Sequence, residues 1–93
     1  MNVEVEIYMS GIIKFFEQNP QDLMNLVPET KKEIFFDKIR EAANQNLEKG
    51  DEISLTRQQL IDICLEVNGK NTLLVTKIDK IIRYTPFGEY SLN

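Results

Sequence analysis

Residues 53–69 read ISLTRQQLIDICLEVNG and carry signals for both ends of a helix. Thr56 and, three residues later, Gln59 form a capping-box pattern, in which each side chain hydrogen-bonds the backbone N–H of the other residue. Leu55, just before the cap, can pack on Leu60 and orient the entering chain. Because Gly69 accepts the backbone conformation of a helix end, the segment predicts a helix over residues 57–67.

Two helices are predicted at the start of the chain. Apolar residues recur there at helical spacing, namely Val5, Met9, Ile12 and Phe16. This spacing predicts an amphipathic helix over residues 3–18. Asn19 then suits a helix cap and Pro20 suits a first helical position, so a short second helix should cover residues 20–26.

A third helix is predicted between the first two helices and residues 53–69. Thr30 and Glu33 form another capping-box pattern ahead of apolar residues at helical spacing. This helix should end near residue 49, with Gly50 as its stop. Residues 52–55 alternate between polar and apolar, and fit either a brief strand or an extended lead-in.

The last part of the chain contains an ambiguous segment and a turn. Asn71 or Thr72 could cap a last helix here, but residues 72–80 are rich in β-branched side chains, so they fit a helix or a strand. Pro86 and Gly88 favour a tight turn, because proline presets φ and glycine accepts a positive φ. We therefore predict a hairpin with arms at residues 81–85 and 89–92.

This order of elements resembles the winged helix-turn-helix fold, with residues 53–55 as the small first strand and the terminal hairpin as the wing. The resemblance implies an α+β, mainly α fold with four to five helices followed by a C-terminal β-hairpin. It also implies a helix-turn-helix pair made of residues 56–68 and 70–81. The implied function is DNA binding with a regulatory role, with the second of these helices in the major groove. The nucleic-acid-binding residues that it implies are Lys70, Asn71, Thr72, Thr76, Lys77, Lys80 and Arg83.

Length and charge set limits on this interpretation. The 93 residues suffice for a single domain over residues 1–93, with helices in residues 1–50 and the helix-turn-helix and wing in residues 53–93. Residues 1–52 hold 11 acids and 6 bases, whereas residues 53–93 hold 4 acids and 5 bases. A basic excess is therefore found only in the second half, which is where nucleic-acid contacts are expected.

Catalysis, metal binding and cofactor binding are not expected. The chain has no histidine, and its four glycines are too scattered for a phosphate-binding loop. Cys64 lies in an apolar stretch and is expected to be a buried thiol. Asp62 and Glu66 are one helical turn apart and fit a solvated helix face, while the pair Asp51-Glu52 fits a polar loop.

Protein–protein interaction is the alternative function. The first helix carries apolar residues on more than one face, which predicts a homodimer through this helix or, equally well, a helix buried at the centre of the monomer. A single cysteine and the lack of an apolar run long enough for a membrane span predict a cytoplasmic protein.

Overall fold

Four α-helices and a 3₁₀ turn make up 82% of residues 3–69, the residues that this computed structural model describes. The helices are α1 (Val3–Gln18), α2 (Pro20–Leu26), α3 (Lys32–Glu48) and α4 (Arg57–Asn68), and the turn is Glu29–Lys31. The predicted bounds of the first two helices are confirmed, and α4 ends one residue later than predicted.

The start of α4 confirms the capping box. The backbone N–H of Gln59 donates to the Thr56 hydroxyl oxygen at 3.1 Å, and the backbone N–H of Thr56 donates to the Gln59 side-chain oxygen at 2.9 Å. Gly69 ends the helix with φ +72°, and its N–H donates to the Leu65 carbonyl at 2.8 Å. Local side-chain chemistry thus sets both ends of this helix.

Asn19 occupies the predicted N-cap position of α2 but makes no side-chain cap hydrogen bond, and the predicted cap of α3 at Thr30 is wrong. The Asn19 side-chain amide donates to the Phe15 carbonyl at 3.0 Å, so it closes the end of α1 and does not cap α2. Thr30 lies inside the 3₁₀ turn, and α3 begins after Lys31 without a side-chain cap. Asn19 bonds the carbonyl behind it, and the chain enters α3 directly from the 3₁₀ turn, so neither helix start depends on a polar side-chain cap.

Residues 53–55 form a loop and not the predicted first strand. The backbone N–H of Leu55 donates to the Tyr8 hydroxyl oxygen at 3.2 Å, and the Ser54 carbonyl accepts from the Asn46 side-chain amide at 3.5 Å. Side chains from α1 and α3 therefore satisfy backbone groups that a sheet would otherwise pair. Ile53 and Leu55 are buried as the alternating pattern suggested, but between helices.

The α+β, winged-helix-like fold class is consequently wrong for this chain. Residues 3–69 contain four helices and no strand, and the strand that should have begun the winged-helix sheet is the loop just described. The predicted helix or strand at residues 72–80 and the predicted hairpin at residues 81–92 lie outside the described residues. A mainly α fold is what residues 3–69 support.

Helix α3 packs against both α1 and α4. Arg40 meets Glu6 at 3.2 Å, while Phe36 lies 6.0 Å from Phe16 between ring centroids, so α1 and α3 run antiparallel. Lys38 pairs with Glu66 and Asn46 pairs with Gln59, so α3 and α4 are antiparallel as well. The core between these helices includes Tyr8, Ile12, Phe15, Phe35, Ile39 and Leu60, each at most 1% exposed.

Candidate functional site

The residues predicted to bind nucleic acid all lie outside the described part of the chain. They are Lys70, Asn71, Thr72, Thr76, Lys77, Lys80 and Arg83, whereas the description ends at Gly69. Nucleic-acid binding through these side chains therefore stays a prediction from sequence.

A shallow apolar groove of about 270 Å³ is the best candidate site within residues 3–69. It lies where α2 meets the end of α1 and the start of α3. Six apolar side chains line it, namely Ile13, Phe16, Pro20, Leu23, Met24 and Phe36. We call this feature the docking groove. Met24 is 61% exposed on its side, whereas Phe16 is 3% exposed at its base.

The docking groove exists because α2 is short and covers only part of the α1–α3 pair. Leu23 and Leu26 anchor α2 in the core, and the Leu26 carbonyl accepts a hydrogen bond from the Asn68 side chain at the end of α4. Val27 and Pro28 are extended, so the chain leaves α2 before it can cover the neighbouring surface. Met24, one position after Leu23, consequently points away from the core.

Charged side chains stand at the rim of the docking groove. Glu17 is exposed at the end of α1, and Lys32 at the start of α3 pairs with Glu29 at 3.4 Å. The lining carries no histidine or cysteine that could act as a nucleophile or general base near neutral pH. Because most of its lining is apolar, the groove is suited to binding apolar groups.

A second, more polar hollow of about 550 Å³ lies at the other end of the α1–α3 pair. Asn46 is 6% exposed there, and its amide and that of Gln59 bond each other at 2.8 and 3.0 Å. The Gln59 oxygen also accepts from the Thr56 backbone. These contacts use the buried polar atoms to hold residues 53–56 in place, which is a structural role.

Tyr8 completes this polar network from α1. Its side chain is 0% exposed, and the hydroxyl oxygen accepts from the Leu55 N–H. Burial raises the pKa of Tyr8 well above its ordinary value, and the Leu55 hydrogen bond lowers it by a smaller amount. The residue is neutral at physiological pH and serves as an internal hydrogen-bond partner.

Of the acids considered for catalysis, Asp62 and Glu66 border one surface hollow, and Asp51 and Glu52 border another. Asp62 accepts a hydrogen bond from Gln58 at 2.9 Å, and Glu66 pairs with Lys38 at 2.6 Å, both on the exposed surface. Cys64 is 0% exposed, which confirms the predicted buried thiol. Within residues 3–69, no group of three or more acidic, cysteine or histidine side chains is placed to hold a metal ion.

The apolar surface of α1 lies mostly inside the monomer. The buried set is Val5, Tyr8, Met9, Ile12, Phe15 and Phe16. Val3 and Ile7, one helical turn apart, are the large apolar residues of α1 that remain exposed, at 71% and 52%. The predicted dimer through this helix therefore has a small patch to use, and it stays a prediction.

Sequence reasoning missed Asn46 and the docking groove. Asn46 falls three residues after Ala43 and seven after Ile39, so helical spacing already places it on the buried face of α3. A polar residue at such a position predicts an internal partner. No comparable signal exists for the groove, because it depends on how α2 docks.

Comparison with protein-family models, with curated proteins and with solved structures finds no match to this chain. Of the described helices, none has the length and apolar character needed to cross a membrane.

Proposed function

We propose that this protein is a small helical docking module that binds an apolar segment of a partner protein in the docking groove. The observation that carries the proposal is the position of Met24. A large apolar side chain that is 61% exposed beside an open apolar groove leaves surface that a partner can bury.

The size and chemistry of the groove favour a protein segment over a small substrate. At about 270 Å³ it lies just below the usual range of pockets that enclose small molecules. A partner helix that inserts one or two side chains needs no more room, and helix-in-groove binding is a common mode of peptide recognition.

The test is a nuclear magnetic resonance titration of the full chain with a short synthetic helix of leucine and glutamine, with the leucines on one face. Saturable shifts are expected at Ile13, Leu23 and Met24. The Met24→Gln variant should bind about tenfold more weakly, because it loses the burial of one large apolar side chain.

Leu65→Gln is the matched control. Leu65 is also apolar and 45% exposed, but it lies on α4 and does not line the docking groove. Its replacement should leave the affinity unchanged. Equal losses in both variants, or the absence of saturable shifts at groove residues, would refute the docking function.

Nucleic-acid binding is the second candidate, and one feature of the sequence favours it. Within residues 70–83, Lys70, Lys77, Lys80 and Arg83 outnumber the single acid Asp79. Duplex DNA should bind at low salt. Lys77→Ala and Lys80→Ala should each reduce, by about one, the slope of the logarithm of the binding constant against the logarithm of the salt concentration. Undetectable binding at low salt would end this proposal.

A further inference from the structure

We infer that the segment bound in the docking groove is an amphipathic helix that carries lysine or arginine beside its apolar anchors. This inference rests on the docking function proposed above and names the chemistry of the partner. Among residues 3–69 no strand edge is available to extend, so a helix in a groove is the binding mode that the surface offers.

The rim of the docking groove has an acid available to a partner. Glu29 and Lys32 pair with each other at 3.4 Å and largely cancel. Glu17 makes no ion pair with any other described residue, and it is exposed beside Phe16 and Met24. A cation on the incoming helix would therefore meet, next to the apolar contact, a carboxylate that forms no ion pair within residues 3–69.

The end of α1 adds to this negative potential. No basic residue lies in the last turn of α1, so the partial negative charge of the helix end is not neutralised there by a cationic side chain. Asn19 uses its amide on the Phe15 carbonyl and brings no charge. The helix end and Glu17 thus act with the same sign on the same edge of the groove.

The described residues as a whole have an excess of negative charge. Residues 3–69 contain 13 acidic and 7 basic side chains, a net charge of −6. Such an excess steers cationic partners toward the surface and disfavours acidic ones. It also disfavours a second copy of residues 3–69 as the occupant, because two acidic bodies would be brought together.

Three synthetic helices with identical leucine positions test the inference. All of their remaining positions are lysine in the first peptide, glutamine in the second and glutamate in the third. Each is titrated into the full chain at low and at moderate salt, and binding is followed by magnetic resonance at groove residues. Lysine peptide should bind more tightly than glutamine peptide, and glutamate peptide most weakly. Added salt should reduce these differences.

Glu17→Gln should weaken binding of the lysine peptide about two- to fivefold and leave the glutamine peptide unaffected, as expected for one exposed ion pair. Glu41→Gln is the matched control. It removes the same charge from an exposed position on α3 that borders a different hollow. It should change the affinity by less than the groove variant does.

The outcomes separate the two proposals. Equal affinity for all three peptides at the groove overturns the preference for a basic helix and leaves the docking function standing. The lysine peptide could instead shift resonances over the whole acidic surface. If such shifts persist in Met24→Gln, the preference is also overturned. If none of the peptides shifts groove residues, both proposals fall.

Discussion

The two ends of the α1–α3 pair differ in how completely their side chains are buried and hydrogen-bonded. At one end, the Asn46 and Gln59 amides bond each other, Tyr8 and Gln59 accept hydrogen bonds from the backbone of residues 55 and 56, and Leu55 is buried. At the other end, the docking groove leaves Met24 and part of Phe36 uncovered. The contacts of the first end stabilise the fold, and the uncovered apolar surface of the second is the basis of the docking proposal.

The largest expected effect is at the end that holds the Tyr8–Asn46–Gln59 hydrogen bonds. Leu55→Ala should lower the free energy of unfolding by about 2–5 kcal/mol, because it removes most of a buried core side chain and leaves a cavity in its place. Leu55 is 1% exposed. Urea unfolding followed by circular dichroism measures the change. A loss below about 1 kcal/mol would mean that the loop is not part of the core.

Asn46→Ala should cost about 1–3 kcal/mol, because Gln59 would keep a half-buried amide without its partner. The two amides now exchange hydrogen bonds at 2.8 and 3.0 Å. A double-mutant cycle with Gln59→Ala should show a favourable coupling between the two residues. Additive losses would contradict the proposed pairing.

Because Tyr8 is buried, we expect the stability of the protein to depend on pH in the alkaline range. Since burial raises the pKa of Tyr8 in the folded state, its contribution is fully present below the ordinary tyrosine pKa of about 10. Above that pH the unfolded state loses the proton first, so the free energy of unfolding should fall by up to about 1.4 kcal/mol per pH unit.

The Tyr8→Phe variant isolates this term. Lysines and the other tyrosines titrate in both proteins, so the difference between the two curves of stability against pH reports Tyr8 alone. The variant should be less stable near neutral pH, because the Leu55 N–H loses its acceptor, and its curve should fall less steeply above about pH 10. Parallel curves would show that Tyr8 ionises as readily when folded as when unfolded.

The smallest effect on stability is expected at the docking groove. Met24→Ala should change the free energy of unfolding by less than about 0.5 kcal/mol, as for other surface positions. The side chain is 61% exposed. The same urea titration applies, and a loss similar to that of Leu55→Ala would place Met24 in the core and remove the contrast between the ends.

Much of the helical structure could be predicted from sequence. The bounds of α1 and α2, the capping box at Thr56 and the stop at Gly69 follow from apolar spacing and from residues with strong local preferences. The errors arose where one residue had two possible local partners. Asn19 could bond forward or backward, and it bonds the Phe15 carbonyl behind it.

The fold class and the candidate site were harder to predict from the sequence. Residues 53–55 have the alternation of a strand, but a strand needs a neighbour, and here side chains of α1 and α3 take the backbone hydrogen bonds. The docking groove depends on where the short α2 rests on its neighbours. Neither fact is encoded within a window of a few residues.

The sequence by itself determined the approximate extents of the helices and which residues are apolar enough to be buried, because these properties depend on neighbours within one or two helical turns. The tertiary structure decided which apolar residues stay exposed and which polar residues are paired. Met24 is open and Asn46 is enclosed because contacts between α1, α2, α3 and α4 join residues that are far apart in the chain.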